Sequence, residues 1–213
     1  MSENNTQNTN TSSTSTTKRP TRNERLVKLV MAGLTAALAY VVFTFLRINI
    51  PLPGGGQTSI HLGNAIVVLG AELLGGVWGG IGGAIGLSIG DLFDPKYIVS
   101  APKTFLMKFI IGLIAGLIAH KLFKVTKTED PKKYFRGVLI ASIAALVFNA
   151  IFDPIVGYYY KLWILGRPAA DLTLSWSYAS TSINSVVSIV VSTALYMALR
   201  PALEKAHLLP KVK

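Results

Sequence analysis

Apolar residues fall in six blocks, at about residues 26–46, 62–74, 77–91, 103–122, 137–156 and 177–199, with polar or Gly- and Pro-rich stretches between them. The first block, LVKLVMAGLTAALAYVVFTFL, is long enough to cross a bilayer as a helix. The second and third are shorter and meet at Gly75-Gly76, so the pattern predicts two short helices joined at one membrane face. The expected fold class is an all-α membrane protein, six transmembrane helices in a compact bundle. Three regions follow: a disordered polar tail (1–22), a six-helix domain (23–204) and a basic C-terminal tail (205–213). Residues 1–20 are mostly Asn, Ser and Thr, too polar to order themselves. They lack the apolar core of a secretory signal and read as a dispensable cytoplasmic extension.

Between the blocks, RINIPLPGGGQTSI (47–60) predicts a lid loop, stiffened by two prolines and freed by three glycines. In DLFDPKYIVSAP, Ser100 is expected to cap the fourth helix, with Pro102 in its first turn. Ten of the 19 glycines lie at Gly63 or between Gly70 and Gly90. In a water-soluble helix each would cost about 1 kcal/mol against Ala. In lipid the helix is held by the need to satisfy its own backbone, and glycine lets two backbones touch. Gly75, Gly79 and Gly83 form one stripe of period four, and Gly82, Gly86 and Gly90 another.

Composition agrees with one membrane domain: 51% hydrophobic, 15% charged, mean hydropathy +0.47. The chain has no Cys, which excludes disulfides, a thiolate nucleophile and zinc–cysteine sites. A net charge of +11 does not point to nucleic acid, because the basic residues flank the apolar blocks. With the N-terminus inside, 15 of the 21 Lys and Arg fall in cytoplasmic segments and 6 outside. That bias predicts a multi-pass protein of the cell membrane with both termini cytoplasmic. No G-x-x-x-x-G-K-[ST] occurs, so uphill movement of a substrate would need energy from another protein. Nothing calls for a metal or cofactor.

This topology gathers polar residues toward the outside. The candidate ligand residues are His61, Asn64, Asp91, Tyr97, Lys103, Lys108, Asn149, Asp153, Tyr158, Trp163 and Asn184. Asn149 and Asp153 share one helical face, as do His61 and Asn64. Polar groups within the bilayer are costly and face a bundle interior or a cavity. A few of them with several aromatics suit a flat heteroaromatic ligand. The competing use of Asn149, Asn184 and His61 is to bond neighbouring helices. Glu72, near the cytoplasmic end of the second helix, has no assigned role.

HLGNA, the glycine-rich helix pair, IGDLF and APKTFLMKFIIGLIAG together resemble the substrate-binding S components of energy-coupling factor (ECF) vitamin transporters. The resemblance spans roughly residues 26–200 and is nearest to the branch assigned to hydroxymethylpyrimidine and vitamin B6. It implies a subunit that captures a water-soluble vitamin or precursor at the outer face and releases it inward by toppling. Riboflavin, pantothenate or a larger vitamin are the alternative substrates. The implied partners are a shared transmembrane coupling subunit and two ATPase subunits, which hydrolyse the ATP. Ala32-x-x-x-Ala36, with Gly33 and Ala37, matches the Ala-x-x-x-Ala pattern by which S components dock on the coupling helices. The same pattern also serves ordinary packing within a bundle. A reading of another class is an intramembrane serine hydrolase using Ser88, in Gly86-Leu-Ser-Ile-Gly90, with His61 as base. That motif carries meaning only between a strand and a helix.

Overall fold

The computed structural model describes residues 22–51, 57–166, 171–210 and 212. The element order is α1 (Arg22–Phe45), β1 (Arg47–Pro51), β2 (Gln57–His61), α2 (Gly63–Leu74), α3 (Gly76–Leu92), α4 (Ala101–Leu117), α5 (Pro131–Tyr159) and α6 (Asp171–Lys205). Single π turns extend α4 over Ile118–Leu122 and α5 over Tyr160–Ile164. Four helical stretches are long and apolar enough to cross a membrane: 25–45, 98–122, 131–164 and 174–205. α2 and α3 have 12 and 17 residues.

The six apolar blocks correspond to the six helices, with three local differences. Residues 47–51 and 57–61 pair as the antiparallel strands of a hairpin, in which Arg47 faces His61 and Pro51 faces Gln57, where a lid loop was expected. Ile48, Ile50, Thr58 and Ile60 favour a pleated backbone, and the Gly/Pro-rich tip masks that signal. The tip itself, with Gly54 to Gly56, lies outside the described residues. Ser100 makes no capping bond with its side chain, because it closes a 3-10 turn and is already helical. Pro102 does occupy the first turn of α4. Helix α5 continues past Pro154, which a membrane helix tolerates when neighbours satisfy the freed carbonyl.

Every residue of α2 is buried. A helix apolar on all sides has no face to give to solvent, and α2 contacts α1, α3, α4, α5 and α6. Glycines let α3 lie against three of these helices. A Cβ at Gly79 would overlap the Gly70 backbone of α2, and one at Gly86 would overlap the Ala36 carbonyl of α1. On the third side, Cβ atoms at Gly112 and Gly116 of α4 would overlap Gly80 and Gly76.

The small residues of the first span divide between two faces of α1. Ala32 is 6% exposed, and the backbones of Ala32 and Ala36 sit against Gly82 and Gly86. These two alanines therefore face α3, with Ala32 buried and Ala36 half-buried. Gly33 and Ala37 lie on the exposed face, and nothing approaches within 4 Å of a Cβ built at Gly33. At the C-terminus the chain turns back after α6. Leu209 packs on the core, and a Cβ at Gly75 would lie 3.0 Å from Val212 Cγ1.

Candidate functional site

At the hairpin end of the bundle lies a cavity of about 370 Å³. The hairpin, the first turn of α2, the last turns of α3 and α5, the loop before α4 and the start of α6 enclose it. Its charged floor comes from α4 and α5. Asp153 Oδ1 lies 3.1 Å from Lys103 Nζ and 3.5 Å from Lys108 Nζ. Lys108 also donates to Asn149 Oδ1 at 3.0 Å, and Asn149 Nδ2 donates to Ser185 Oγ at 3.4 Å. Asn149 and Asp153 are one turn apart on α5, so one helical face supplies both acceptors. Asp91, at the end of α3, is buried and takes a hydrogen bond from Thr104.

Asn184 of α6 docks the hairpin. Its Oδ1 accepts from the His61 backbone N–H at 2.9 Å, and its Nδ2 donates to the Ser59 carbonyl at 2.9 Å. The side-chain amide thus pairs with the open edge of β2 as a third strand would. The Thr58 and Ser180 hydroxyls add a bond of 2.6 Å. The His61 ring stands edge-on to Phe43, 4.8 Å between centroids, and its Nδ1 accepts from the Gly63 N–H at 3.1 Å. Burial, and then the positive charge of Lys108, push the His61 imidazole down to about 3, so the ring is neutral. Arg47 pairs with Asp94, and its guanidinium lies 5.2 Å from the Phe43 centroid and 5.5 Å from that of Tyr97. This contact joins the base of the hairpin to the loop before α4.

Nine of the eleven candidate ligand residues line the cavity: His61, Asn64, Asp91, Tyr97, Lys103, Lys108, Asp153, Tyr158 and Asn184. Asn149 does not; it lies fully buried beneath Lys108. Trp163 does not either; it is 76% exposed and packs on Tyr159 at 4.7 Å. The π turn after α5 shifts the helical register and carries Trp163 to the outer surface. Sequence reasoning missed Phe43, Tyr160 and the hydroxyls of Thr58, Ser177, Ser180 and Thr181, which also line the cavity. Ser177, Ser180 and Asn184, spaced three and four apart, carried a helical-face signal that finds the α6 contribution. Tyr160 donates to the Val99 carbonyl at 2.8 Å, closing the wall between α5 and the loop.

The lining offers an ammonium pair, carboxylates, a neutral imidazole, amides, hydroxyls and aromatic rings. Such a set can hold a small polar ring by its edges and faces. Asn64 Oδ1 is buried with no protein partner among the described residues, so the site has an acceptor to offer. The groups of the hydrolase reading are engaged elsewhere. Ser88 sits mid-helix in α3 and donates to the Ala101 carbonyl at 3.4 Å, and His61 Nδ1 is taken by Gly63.

Comparison with known proteins gives a concordant picture. Residues 23–201 match the family described as "ECF-type riboflavin transporter, S component". The crystal structure of the S-component for biotin from an ECF-type ABC transporter has the same fold, with a TM-score of 0.60 and 19% identity. The match covers 86% of this chain and 95% of that chain. No curated protein matches the chain in sequence.

Proposed function

Because the chain belongs to the ECF-type riboflavin transporter S component family, we propose that its cavity captures a water-soluble vitamin or precursor for an ATP-driven importer. The observation that carries this reading is the polar cavity of about 370 Å³ over the Lys103–Asp153–Lys108 cluster. Its size is at the small end of ligand pockets, which run from about 300 to 1,000 Å³. That favours a single-ring ligand, vitamin B6 or hydroxymethylpyrimidine, held by Lys103, Lys108, Asp91, Asn64 and the rings of Tyr97 and Tyr158. Riboflavin is the second reading, favoured by the family description.

In this proposal the bundle crosses the membrane six times with both termini cytoplasmic. The short α2 and α3 are covered at their ends by the hairpin and the C-terminal tail. The hairpin acts as the lid, and α1 faces the shared coupling subunit, whose two ATPase partners drive toppling. The family is one of substrate-binding subunits, so the site binds and does not catalyse. Orientation is tested with single cysteines in this Cys-free chain: Lys96→Cys should label from outside intact cells and Lys132→Cys should not; the reverse pattern inverts the protein. The substrate is tested by calorimetric titration of the purified protein with pyridoxine, hydroxymethylpyrimidine, riboflavin and pantothenate. One of the first two should bind at least tenfold more tightly than the others. Tightest binding of riboflavin establishes the second reading, and no binding of any of the four overturns the vitamin assignment.

A further inference from the structure

At the end of the bundle opposite the hairpin, α2 carries a carboxyl that the ligand site does not use. Glu72 has no solvent exposure. Ser142 of α5 donates to its Oε1 at 2.7 Å, and the Ser142 hydroxyl lies 3.1 Å from that of Ser192 on α6. Glu72 Oε2 has no partner among the described residues. Among the described residues no basic side chain forms an ion pair with Glu72. On α6, Arg200 bonds Glu204 and the carbonyls of Val125 and Thr128, and lies 3.7 Å from the Tyr134 ring of α5. His120, on the π turn after α4, lies beside the Glu72 backbone with Nε2 3.0 Å from the Ala71 carbonyl. That contact holds the ring proton on Nε2 and leaves Nδ1 a bare acceptor. Lys28 of α1 is half-buried, and α3 brings no titratable group, since its Asp91 lies at the other end. Tyr196 of α6 is fully buried, with its hydroxyl unpartnered among the described residues.

An ionised carboxylate buried without a cation is strongly disfavoured, whereas a carboxylic acid needs only hydrogen bonds. The site also has company. Ser185, Ser188, Ser192 and Tyr196 follow one face of α6 at spacings of three, four and four, all buried. Ser188 Oγ and Tyr196 Oη share with Glu72 Oε2 the lack of a protein partner among the described residues.

We propose that Glu72 is a proton-binding site in the seam between α2, α5 and α6. The carboxyl keeps its O–H bond while the three helices are packed. When the seam opens at the tail end, that bond breaks, the proton passes to water and the carboxylate is hydrated. Opening of this end is thereby linked to proton release, whatever ligand the cavity takes.

Infrared spectroscopy of the full chain in detergent at neutral pH tests the proposal. The wild type should show a protonated-carboxyl C=O stretch that shifts on 13C-glutamate labelling and disappears in Glu72→Gln. Labelling makes the wild type informative even where the variant fails to fold; of the chain's four other glutamates, Glu3 and Glu24 lie at the polar N-terminal end of the sequence and Glu129 and Glu204 are exposed. Absence of a label-sensitive band overturns the proposal. Linkage gives a second readout. A carboxyl that holds its proton in the fold and loses it on unfolding stabilises most below its unfolded value of about 4.3. Above that value the folded-to-unfolded ratio of the wild type should fall, relative to Glu72→Gln, by about tenfold per pH unit. Parallel pH profiles would mean that Glu72 is ionised in the fold.

Discussion

Asp153 pairs with two ammonium groups, Lys103 and Lys108, both largely withdrawn from solvent. Removing one partner of a buried ion pair costs about 3–5 kcal/mol, because it strands the remaining charge. Asp153→Ala should therefore lower the unfolding midpoint in a detergent thermal-shift assay more than Lys103→Met, which leaves the carboxylate paired with Lys108. Equal losses would show that the cluster is open to water. His61 supplies a pH test. Its depressed pKa means that the fold favours the neutral ring, so stability is full above the unfolded value of about 6.5 and declines as pH falls below it. In NMR spectra its ring signals should not titrate between pH 5 and 8; a midpoint near 6.5 would place the ring in solvent. The i,i+4 pairing that brings Asn149 to Asp153 was legible because a helix fixes it, whereas the helical pairing expected of His61 with Asn64 does not form, since His61 ends β2 ahead of α2. The choice of Lys108 as partner of Asn149, and of Asn184 as partner of β2, was not legible. Those bonds span 41 and more than 120 residues, and only the order of the helices decides them.

Blocks of apolar residues located all six helices, and the period-four glycines identified two faces of α3. Its third face escaped because Gly112 and Gly116 lie far along the chain and look like ordinary spacing until α4 is placed beside α3. The hairpin escaped because its Pro/Gly tip outweighed a short β-branched signal on either side. The glycine seams make an expectation that separates close contact from helix propensity. A Cβ at Gly112 would overlap Gly80, whereas one at Gly33 meets open space. Gly112→Ala should force α3 and α4 apart and cost about 1–3 kcal/mol, as overpacking does. Gly33→Ala should be neutral or stabilising by up to about 1 kcal/mol, the helix propensity of Ala over Gly. Unfolding of both variants in the same detergent compares them directly, and a loss of the same size at both sites would mean that the seam is not tight.

At the scale of the whole molecule, an importer subunit must present one surface to a partner while its interior stays packed. Four exposed residues of α1, Gly33, Leu34, Ala37 and Leu38, form a patch with two small side chains one turn apart. Ala32 and Ala36 point their backbones the other way, into Gly82 and Gly86. Close helix approach in lipid depends on small residues, because lipid tails compete equally well for bulky apolar ones. If α1 docks on the coupling subunit, the exposed pair is the contact and the pair that faces α3 is scaffold. Tryptophan at each position separates the two roles. Gly33→Trp and Ala37→Trp should leave folding and ligand affinity of the isolated subunit at the wild-type level while abolishing co-purification with the coupling subunit. Ala32→Trp should instead separate α1 from α3 and lose folding and ligand binding together. Wild-type transport by Gly33→Trp and Ala37→Trp would remove this face of α1 from the interface. Normal folding of Ala32→Trp would contradict the close α1–α3 contact itself.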